Sequence, residues 1–292
     1  MRYTETWLTS SDGRRLFVRH FTRPQTPAGR TIFLIHGAAE HGARYRHVID
    51  WFLKSNWNVV VDDHRGHGLS DGVPMHLRHF DQYLSDQRLI QEHLALSPRH
   101  CVRIGHSMGG LITARLAQAD PELVPAFILS SPLLGIRVPI PSHTKAVGRV
   151  LSWVVPRTRF RTPIQHEDVS RNQHVVDDRR ADILLHRSVT AGWFFAIQAA
   201  LKAVWEQANR VTQPFLILQA GDDRIVDPDA PEAWLKQTSS ADRTFREFPD
   251  CFHELHSEPE WETVLGTISQ WLEERWTSEG FKFADGHPRS AA

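Results

Sequence analysis

The sequence predicts an α/β fold in which a mostly parallel β-sheet is flanked by helices and interrupted by an inserted helical cap. Short apolar runs alternate with longer amphipathic segments, which is the order of strands and helices in such a sheet. The apolar runs hardly alternate with polar residues, as expected of strands that are covered on both faces. One long segment, residues 133–210, lacks this rhythm and therefore predicts the cap.

The predicted strands are short, mostly apolar and bounded by turn-forming residues. In chain order they are residues 31–37, 58–63, 100–105, 125–131, 214–221 and 243–248. The predicted helices are longer and carry their apolar residues on one face. They are residues 44–56, 79–96 and 108–118, a segment near 230–237 and a segment around 261–275. An early run, "RRLFVRHF", adds antiparallel edge strands to the sheet.

The long interruption divides the chain into domains. We predict that residues 1–132 and 211–280 form the core, that residues 133–210 form the cap or lid, and that residues 281–292 form a disordered tail. The cap contains "VGRVLSWVV", the basic stretch "PRTRFRTP" and "AGWFFAIQAALKAVW". In the last of these, apolar side chains recur every four positions along one helix face, at Trp193, Ile197, Leu201 and Trp205.

Composition excludes several classes of function. Lys+Arg and Asp+Glu both number 34, so the charge balance predicts no nucleic-acid partner. The two cysteines, Cys101 and Cys251, do not make a disulfide framework, and Cys101 lies in a predicted strand. The first residues lack the apolar centre of a signal peptide, and no apolar run approaches the roughly 20 residues of a membrane span. We therefore expect a cytoplasmic protein, and the sequence predicts no particular oligomeric state.

Eighteen histidines raise the question of a metal site. The chain has no CxxC pair, and "HELH" at 253–256 lacks the HExxH spacing that places two imidazoles on one helix face. We therefore expect the histidines to be surface or supporting residues, and we predict no metal and no cofactor.

The stretch "CVRIGHSMGG" places Ser107 in the pattern G-x-S-x-G, between a predicted strand and a predicted helix. That context predicts a nucleophile elbow, a sharp turn that exposes the serine Oγ above the strand ends. Gly105 and Gly109 leave room for the turn, and Gly110 lets the helix pack close to the sheet. The N-terminus of the following helix adds partial positive charge at the same place. The alternative is an ordinary glycine-rich turn.

A serine nucleophile needs a base and an acid. "LQAGDDRIVDPD" and "FPDCFHELHSE" each follow a predicted strand, so their side chains lie at the carboxyl edge of the sheet, where catalytic groups gather. The chain order of serine, aspartate and histidine agrees with the order that the elbow motif predicts. Asp223 and His253 are the candidates; Asp222 and Asp227 compete with the first, and His256 competes with the second. The alternative for each residue is a solvated polar group on a loop.

An oxyanion formed at the substrate carbonyl would need two N–H donors. The N–H of Met108, directly after the serine, is one candidate. The other candidate comes from "HGAAEHG", which follows an early predicted strand, and Ala38 supplies it. The small side chains of Gly37 and Ala38 allow a substrate to approach this backbone closely.

Five motifs in this order resemble the monoacylglycerol lipase and lysophospholipase-like branch of the α/β-hydrolase superfamily: "HGAAEHGARY", "DHRGHGLSDG", "GHSMGG", "AGDDRIVD" and "HELHSE". The resemblance implies an eight-stranded core, a helical lid and hydrolysis of esters of single-chain lipids. It assigns the nucleophile to Ser107, the acid to Asp223, the base to His253 and the oxyanion N–H groups to Ala38 and Met108. It covers the core but not residues 133–210. Asp222 stands where the family has a small residue.

The resemblance leaves other residues of these motifs without an assigned chemistry. Glu40, His41, Arg44 and Tyr45 are typical of the family, and "DHRGHGLSDG" is expected to shape a loop beside the site. We expect Asp63 and Arg65 of that loop to be structural.

The cap is expected to select the substrate, a small lipid or ester. Trp193, Phe194 and Ile197 could bind its acyl chain, or they could pack the helix onto the core. The arginines at 157, 159 and 161 could meet a phosphate head group, which would favour a lysophospholipid over a monoacylglycerol, or they could lie on a solvated loop. We also expect a transient contact of the cap with a membrane surface.

Two other classes of function remain open. The same triad could act as a thioesterase, aminopeptidase, acyltransferase or perhydrolase. A non-catalytic binding protein could also use this fold, although such proteins usually lack one of the residues that are all present here. Epoxide hydrolases and dehalogenases are disfavoured because their nucleophile is an aspartate where this chain has Ser107.

Overall fold

The computed structural model describes residues 2–23, 29–137, 154–277 and 280–281. Its main strands are, in chain order, β1 (Arg2–Thr9), β2 (Arg15–Thr22), β3 (Thr31–Ile35), β4 (Asn58–Asp63), β5 (Cys101–His106), β6 (Phe127–Ser130), β7 (Arg159–Arg161), β8 (Ser188–Thr190), β9 (Phe215–Ala220) and β10 (Arg243–Phe248). Eight of these form one sheet in the order β1-β2-β4-β3-β5-β6-β9-β10. The other two, β7 and β8, pair with each other.

The direction of the strands agrees with the prediction. β4, β3, β5, β6, β9 and β10 run parallel. β1 and β2 form an antiparallel hairpin, and β2 pairs antiparallel with β4, so the early strands lie at one edge of the sheet. The eight-stranded, mostly parallel sheet is confirmed. Its parallel order brings the loops after β3, β5, β9 and β10 to the same edge.

Helices cover both faces of the sheet. They are α1 (Arg46–Lys54), α2 (Asp81–His93), α3 (Met108–Ala119), α4 (Gln173–Ala181), α5 (Ala191–Glu206), α6 (Ala230–Gln237) and α7 (Trp261–Arg275). Phe33 and Ile35 of β3 belong to a buried cluster with residues of α2, α3 and α5. Ile32 and Leu34 point to the opposite face and pack with α1 and α7. Burial on both faces explains why the parallel strands are uniformly apolar.

The region predicted as the cap is described only in part, because residues 138–153 lie outside the described ranges. That gap contains most of "VGRVLSWVV". The described part holds α4, α5 and the β7–β8 pair, and the sequence did not predict these two short strands. The tail predicted to be disordered also lies outside the described residues, except for Phe281, which pairs with Trp276 in a second short hairpin. None of the described helices has both the length and the apolar character that crossing a bilayer requires.

Candidate active site

Ser107 occupies a strained turn between β5 and α3. Its φ and ψ are 52° and −117°, a backbone conformation that residues with a side chain rarely adopt. Backbone hydrogen bonds to the end of β6 and to the loop after it hold this turn. The Ser107 N–H donates to the Ser130 carbonyl at 3.0 Å, and the Ser107 carbonyl accepts from the Leu133 N–H at 2.9 Å. The surrounding structure therefore fixes the elbow that the sequence predicts.

The glycines around Ser107 are required by close packing. A Cβ on Gly105 would lie 2.4 Å from the Gly109 carbonyl oxygen, and a Cβ on Gly109 would lie 1.9 Å from the Ile35 carbonyl oxygen. A Cβ on Gly110 would lie 2.7 Å from Pro132 Cβ. These distances are far below van der Waals contact, so the three positions leave no space for a side chain. The start of α3 consequently presses against the end of β3.

Asp223 and His253 form a buried pair at the same edge of the sheet. His253 Nδ1 lies 2.7 Å from Asp223 Oδ2. Asp223 Oδ1 accepts from the N–H groups of Ile225 and Val226 at 2.9 and 3.0 Å. Asp223 is fully buried, and His253 is nearly so. Both oxygens of the carboxylate are satisfied, which fixes its orientation toward the imidazole.

The pair carries opposite pKa shifts that agree with an ion pair. Burial acts to raise the pKa of Asp223, but the charge and hydrogen bond of His253 outweigh it, and the pKa is lowered. Burial acts to lower the pKa of His253, but Asp223, with smaller contributions from Glu254 and Glu40, raises it above 6.5. The imidazole is therefore a stronger base than an ordinary histidine.

His253 lies beside the residue that precedes the serine. The rings of His253 and His106 are 4.8 Å apart between centroids, and Ser107 follows His106 directly. Burial, followed by the charge of His253, lowers the pKa of His106 to about 4, so His106 is neutral near pH 7. The structure thus brings Ser107, His253 and Asp223 to one edge of the sheet.

The competing acids and base make other contacts. Asp222 is half-exposed and pairs with Arg224 at 3.0 Å. Asp227 Oδ1 accepts from the Asp229 N–H at 3.1 Å, so it caps its own loop. His256 stacks on the Tyr45 ring at 4.5 Å, and its Nε2 has no hydrogen-bond partner in the described part of the chain. Geometry therefore favours Asp223 and His253.

Two backbone N–H groups beside Ser107 are available to a ligand. Met108 is the first residue of α3, and neither its N–H nor that of Ala38 has an acceptor among the described residues. The two loops meet, because a Cβ on Gly37 would lie 3.4 Å from Ser107 Cβ. The Gly37 N–H, by contrast, already donates to Glu40 Oε1 at 2.6 Å.

Sequence reasoning missed the role of Glu40. This buried carboxylate accepts from Gly37 N–H and from the Tyr45 hydroxyl at 2.9 Å with Oε1, and from Arg44 Nε at 3.1 Å with Oε2. It therefore holds the loop that presents Ala38. The signal in the sequence was that Glu40 belongs to "HGAAEHGARY", a motif that resembles the family but in which no chemistry was assigned to this residue.

Asp63 and Arg65 of the loop "DHRGHGLSDG" make the buried contacts that a structural role requires. Asp63 accepts from Arg19 Nη1 at 3.0 Å and from the Gly42 N–H at 2.8 Å. Arg65 is bound by both oxygens of Asp86 at 2.6 Å. These buried pairs tie the loop to β2, to α2 and to the segment before α1.

Of the two roles predicted for the histidines, surface and supporting, only the supporting role fits those that are buried around the site. His36, His64, His67, His106, His253 and His256 are all buried. A backbone carbonyl or a carboxylate lies within hydrogen-bond distance of a ring nitrogen in five of the six, all but His256. For example, His64 Nδ1 lies 2.9 Å from Asp62, and its Nε2 lies 3.1 Å from the His36 carbonyl.

One group of potential metal ligands occurs in the described part of the chain: Cys251, Glu258 and Glu260, whose ligand atoms lie within 4.8 Å of one another. Arg171 occupies this group. Its Nε lies 2.6 Å from Glu258 Oε2, and its Nη2 binds Glu260. The carboxylates are therefore already compensated by a guanidinium.

The residues predicted to bind the acyl chain differ in their surroundings. Trp193 and Ile197 belong to the buried core cluster, and Trp193 Nε1 donates to the Tyr83 hydroxyl at 3.3 Å. Phe194 is only partly buried. Packing onto the core therefore explains Trp193 and Ile197, and a role for these residues in substrate binding stays a prediction.

Comparison with known proteins agrees with the geometry. Residues 26–260 match the protein family described as "Serine aminopeptidase, S33". The chain is 30% identical to a monoacylglycerol lipase of Mycolicibacterium smegmatis, over 85% of this chain and 90% of that protein. It is 28% identical to the phospholipase YtpA of Bacillus subtilis, over 80% of this chain and 91% of that protein.

A solved structure is also similar. The chain matches the crystal structure of a Paleococcus ferrophilus monoacylglycerol lipase with a TM-score of 0.81 and 27% identity. The match covers 88% of this chain and 97% of that one. The likeness therefore extends over nearly the whole of that enzyme.

Proposed function

Because this chain belongs to the α/β-hydrolase family described as "Serine aminopeptidase, S33", we propose that it is a serine hydrolase that cleaves carboxylic esters of single-chain lipids. The observation that carries the proposal is the buried contact of 2.7 Å between His253 and Asp223, beside a strained Ser107. The similar proteins that are named monoacylglycerol lipase and phospholipase support a lipid substrate, either a monoacylglycerol or a lysophospholipid.

The proposed mechanism uses the three side chains and the two backbone N–H groups described above. His253 takes the proton of the Ser107 hydroxyl, and the serine oxygen attacks the ester carbonyl. The N–H groups of Ala38 and Met108 hold the oxyanion as it forms. His253 returns the proton to the leaving alcohol, and an acyl-enzyme remains on Ser107. His253 then deprotonates a water that attacks the acyl-enzyme, and it returns this proton to the Ser107 oxygen as the fatty acid leaves. Asp223 stabilises the imidazolium in each half of the reaction.

Amide hydrolysis is the second candidate reaction, because the family description names an aminopeptidase. The same triad also permits a thioesterase, acyltransferase or perhydrolase. A binding protein without catalysis is a further alternative. The catalytic alternatives share the elbow and differ in the acyl donor and acceptor, so the choice among them depends on the substrate, whereas the binding protein differs from all of them in having no catalysis.

We also propose that the cap, residues 133–210, contacts a membrane surface. Several apolar side chains of its described part are exposed to solvent: Val154, Val155, Phe160, Ile164 and Ile183. Ile183 is 94% exposed, which is unusual for a large apolar residue. Arginines at 157, 159 and 161 lie among them in the chain and could attract anionic head groups.

A cytoplasmic location fits the two cysteines, which are free and buried.

Active-site labelling tests the proposal. A fluorophosphonate probe should label the wild-type protein on Ser107, and Ser107→Ala should abolish both labelling and hydrolysis of p-nitrophenyl esters. Ser131→Ala is the matched control, because the Ser131 hydroxyl is buried and has no hydrogen-bond partner in the described part of the chain. Labelling that persists in Ser107→Ala would refute the assignment, and a wild type that takes no probe would favour a binding protein.

A substrate series then separates the remaining candidates. Monoacylglycerol, lysophospholipid, acyl thioester and aminoacyl amide should be compared at matched chain length by kcat/KM. We expect the two lipid esters to exceed the thioester and the amide. A preference for the amide would replace lipid ester hydrolysis by aminopeptidase activity on the same residues.

A further inference from the structure

Glu254, the residue after His253, carries a buried negative charge that the mechanism above does not use. It is 2% exposed. Its Oε2 accepts from Arg44 Nη2 at 2.9 Å, and its Oε1 accepts from Arg179 Nη1. Two arginines from distant parts of the chain therefore meet on one carboxylate next to the proposed base.

The first arginine connects Glu254 to the loop after β3. Arg44 binds Glu254 with Nη2 and Glu40 with Nε, and Glu40 in turn accepts from the Gly37 N–H. Glu40 and Glu254 are buried, and the Arg44 side chain between them is 10% exposed. The loop that presents the Ala38 N–H and the loop that carries His253 are thus joined through side chains.

The second arginine connects Glu254 to the cap. Arg179 lies in α4, and the Glu254 N–H donates to the Val169 carbonyl at 2.8 Å, in the segment before that helix. The loop after β3 has cap contacts of its own: His41 Nε2 lies 2.8 Å from Asp182 Oδ2, and the His186 N–H donates to the Ala39 carbonyl at 3.1 Å. The cap is therefore fastened to both loops of the site.

We propose that Glu254 is a positioning residue that joins the base loop, the oxyanion loop and cap helix α4 through Arg44 and Arg179, and that its buried carboxylate, next to His253 in the chain, acts on that imidazole. The inference rests on the function proposed above. A buried carboxylate that binds two guanidinium groups is costly to leave unpaired, so the three elements hold one another in a single arrangement.

The electrostatic part depends on the titratable groups that surround His253. Asp223 lies on the loop after β9, Glu40 on the loop after β3, Glu254 beside His253 itself, and His106 at the end of β5. Burial lowers the pKa of His253, whereas the charges of Asp223, Glu254 and Glu40 raise it.

Glu254 is itself held in the charged form. Burial works against its ionisation, but Arg179 and Arg44, with smaller contributions from His256 and His106, keep its pKa well below 4.5. It therefore stays negative near pH 7. Replacing Glu254 with glutamine removes a negative charge that favours the imidazolium form of His253. Removing Arg179 has the opposite effect, because the Glu254 charge is then less neutralised and favours the imidazolium form more strongly.

The test compares Glu254→Gln with Arg179→Leu. We expect Glu254→Gln to lower kcat/KM about 10- to 100-fold, since small displacements of catalytic groups are costly. The acid limb of its pH profile should move to lower pH. Arg179→Leu should move that limb to higher pH. Opposite displacements would not arise from a general loosening of the fold.

Asp86→Asn is the control, because it also removes a buried carboxylate that is bound to an arginine, at a place away from the proposed triad. Its acid limb should stay where the parent's is. If Glu254→Gln is too unstable for kinetics, Glu254→Asp should restore folding, with an acid limb at nearly the same pH as in the parent protein. Arg179→Leu then still tests the direction in which the acid limb moves.

The NMR titration of the His253 ring gives the pKa without any substrate. An unchanged pKa and rate in Glu254→Gln, or a displacement of the same sign in both variants, would overturn the inference about Glu254. A wild-type protein that neither hydrolyses esters nor takes a fluorophosphonate would instead overturn the proposed function, and the titration would still report on Glu254.

Discussion

The carboxylate of Asp223 lies 2.7 Å from Nδ1 of His253, although the two residues are 30 positions apart and on different loops. The contact assigns the proton of the neutral imidazole to Nδ1, because an ionised carboxylate can only accept. Nε2 is then left with a lone pair, which is the form that a general base requires. The acid therefore selects the tautomer of the base.

Asp223→Asn should lower kcat by about 10³- to 10⁴-fold with little change in stability, since an amide can hold the ring in the wrong tautomer. The reaction of p-nitrophenyl esters under saturating substrate measures this effect. Asp222→Asn is the matched control on the neighbouring residue, which is half-exposed and pairs with Arg224. We expect it to retain activity near that of the parent. A large loss in Asp222→Asn with an active Asp223→Asn would transfer the acid to Asp222.

Much of the core could be predicted because its signals are local. Residues 58–63, 230–237, 243–248 and 261–275 have the bounds that the sequence indicated, since each carries its own apolar pattern and turn residues. The first helix was predicted to begin at Arg44, yet the structure has a 3₁₀ turn over Gly42–Tyr45 before α1. The elbow was predictable because three glycines and one serine lie within six residues.

The interactions that fasten the site were not predictable from local patterns. Glu254 and Arg179 are 75 positions apart, and His41 and Asp182 are 141 positions apart. The spacing of apolar and polar residues around each of these side chains does not indicate which distant residue of opposite charge it will contact. The strands β7 and β8 were missed for a similar reason, because each has only three residues and pairs with a strand that is distant in the sequence. Long-range pairing, and not propensity, decides these features.

Gly109→Ala should be strongly destabilising, whereas Gly266→Ala should be stabilising. A Cβ at position 109 would lie 1.9 Å from the Ile35 carbonyl oxygen, and a Cβ at position 266, within α7, would meet nothing within 4 Å. Overpacking costs about 3 kcal/mol or more when backbone must move, and alanine gains about 0.5–1 kcal/mol over glycine inside a helix. Thermal unfolding should show a clear loss of Tm for the first variant and a gain of about 2 °C for the second. Equal Tm values would contradict the tight packing of α3 against β3.

Both cysteines should resist thiol reagents in the folded protein. Burial raises the pKa of Cys101 to about 12, and burial together with Glu260 and Glu258 raises the pKa of Cys251 to about 12. Neither forms a thiolate near pH 7, and the thiolate is the reactive species. Ellman's reagent should therefore titrate no thiol in buffer and both thiols in guanidinium chloride. Cys251→Ser should give one thiol on denaturation, and a fast-reacting thiol in the native protein would refute the burial of that cysteine.

The pH dependence of kcat/KM should show an acid limb that belongs to His253. Only the neutral imidazole can accept the serine proton, so the rate falls as pH drops through its pKa. Burial lowers that pKa, but Asp223 foremost, then Glu254 and Glu40, raise it above 6.5, and the limb should therefore lie above 6.5. His106, with a pKa of about 4, is neutral throughout the range of about pH 5 to 9 and should not contribute. A neutral ester substrate keeps the profile free of substrate ionisation.

Asp223→Asn removes the charge that raises the pKa of His253 most, so the acid limb of its residual activity should move to lower pH. An acid limb that stays in place would mean that another group titrates.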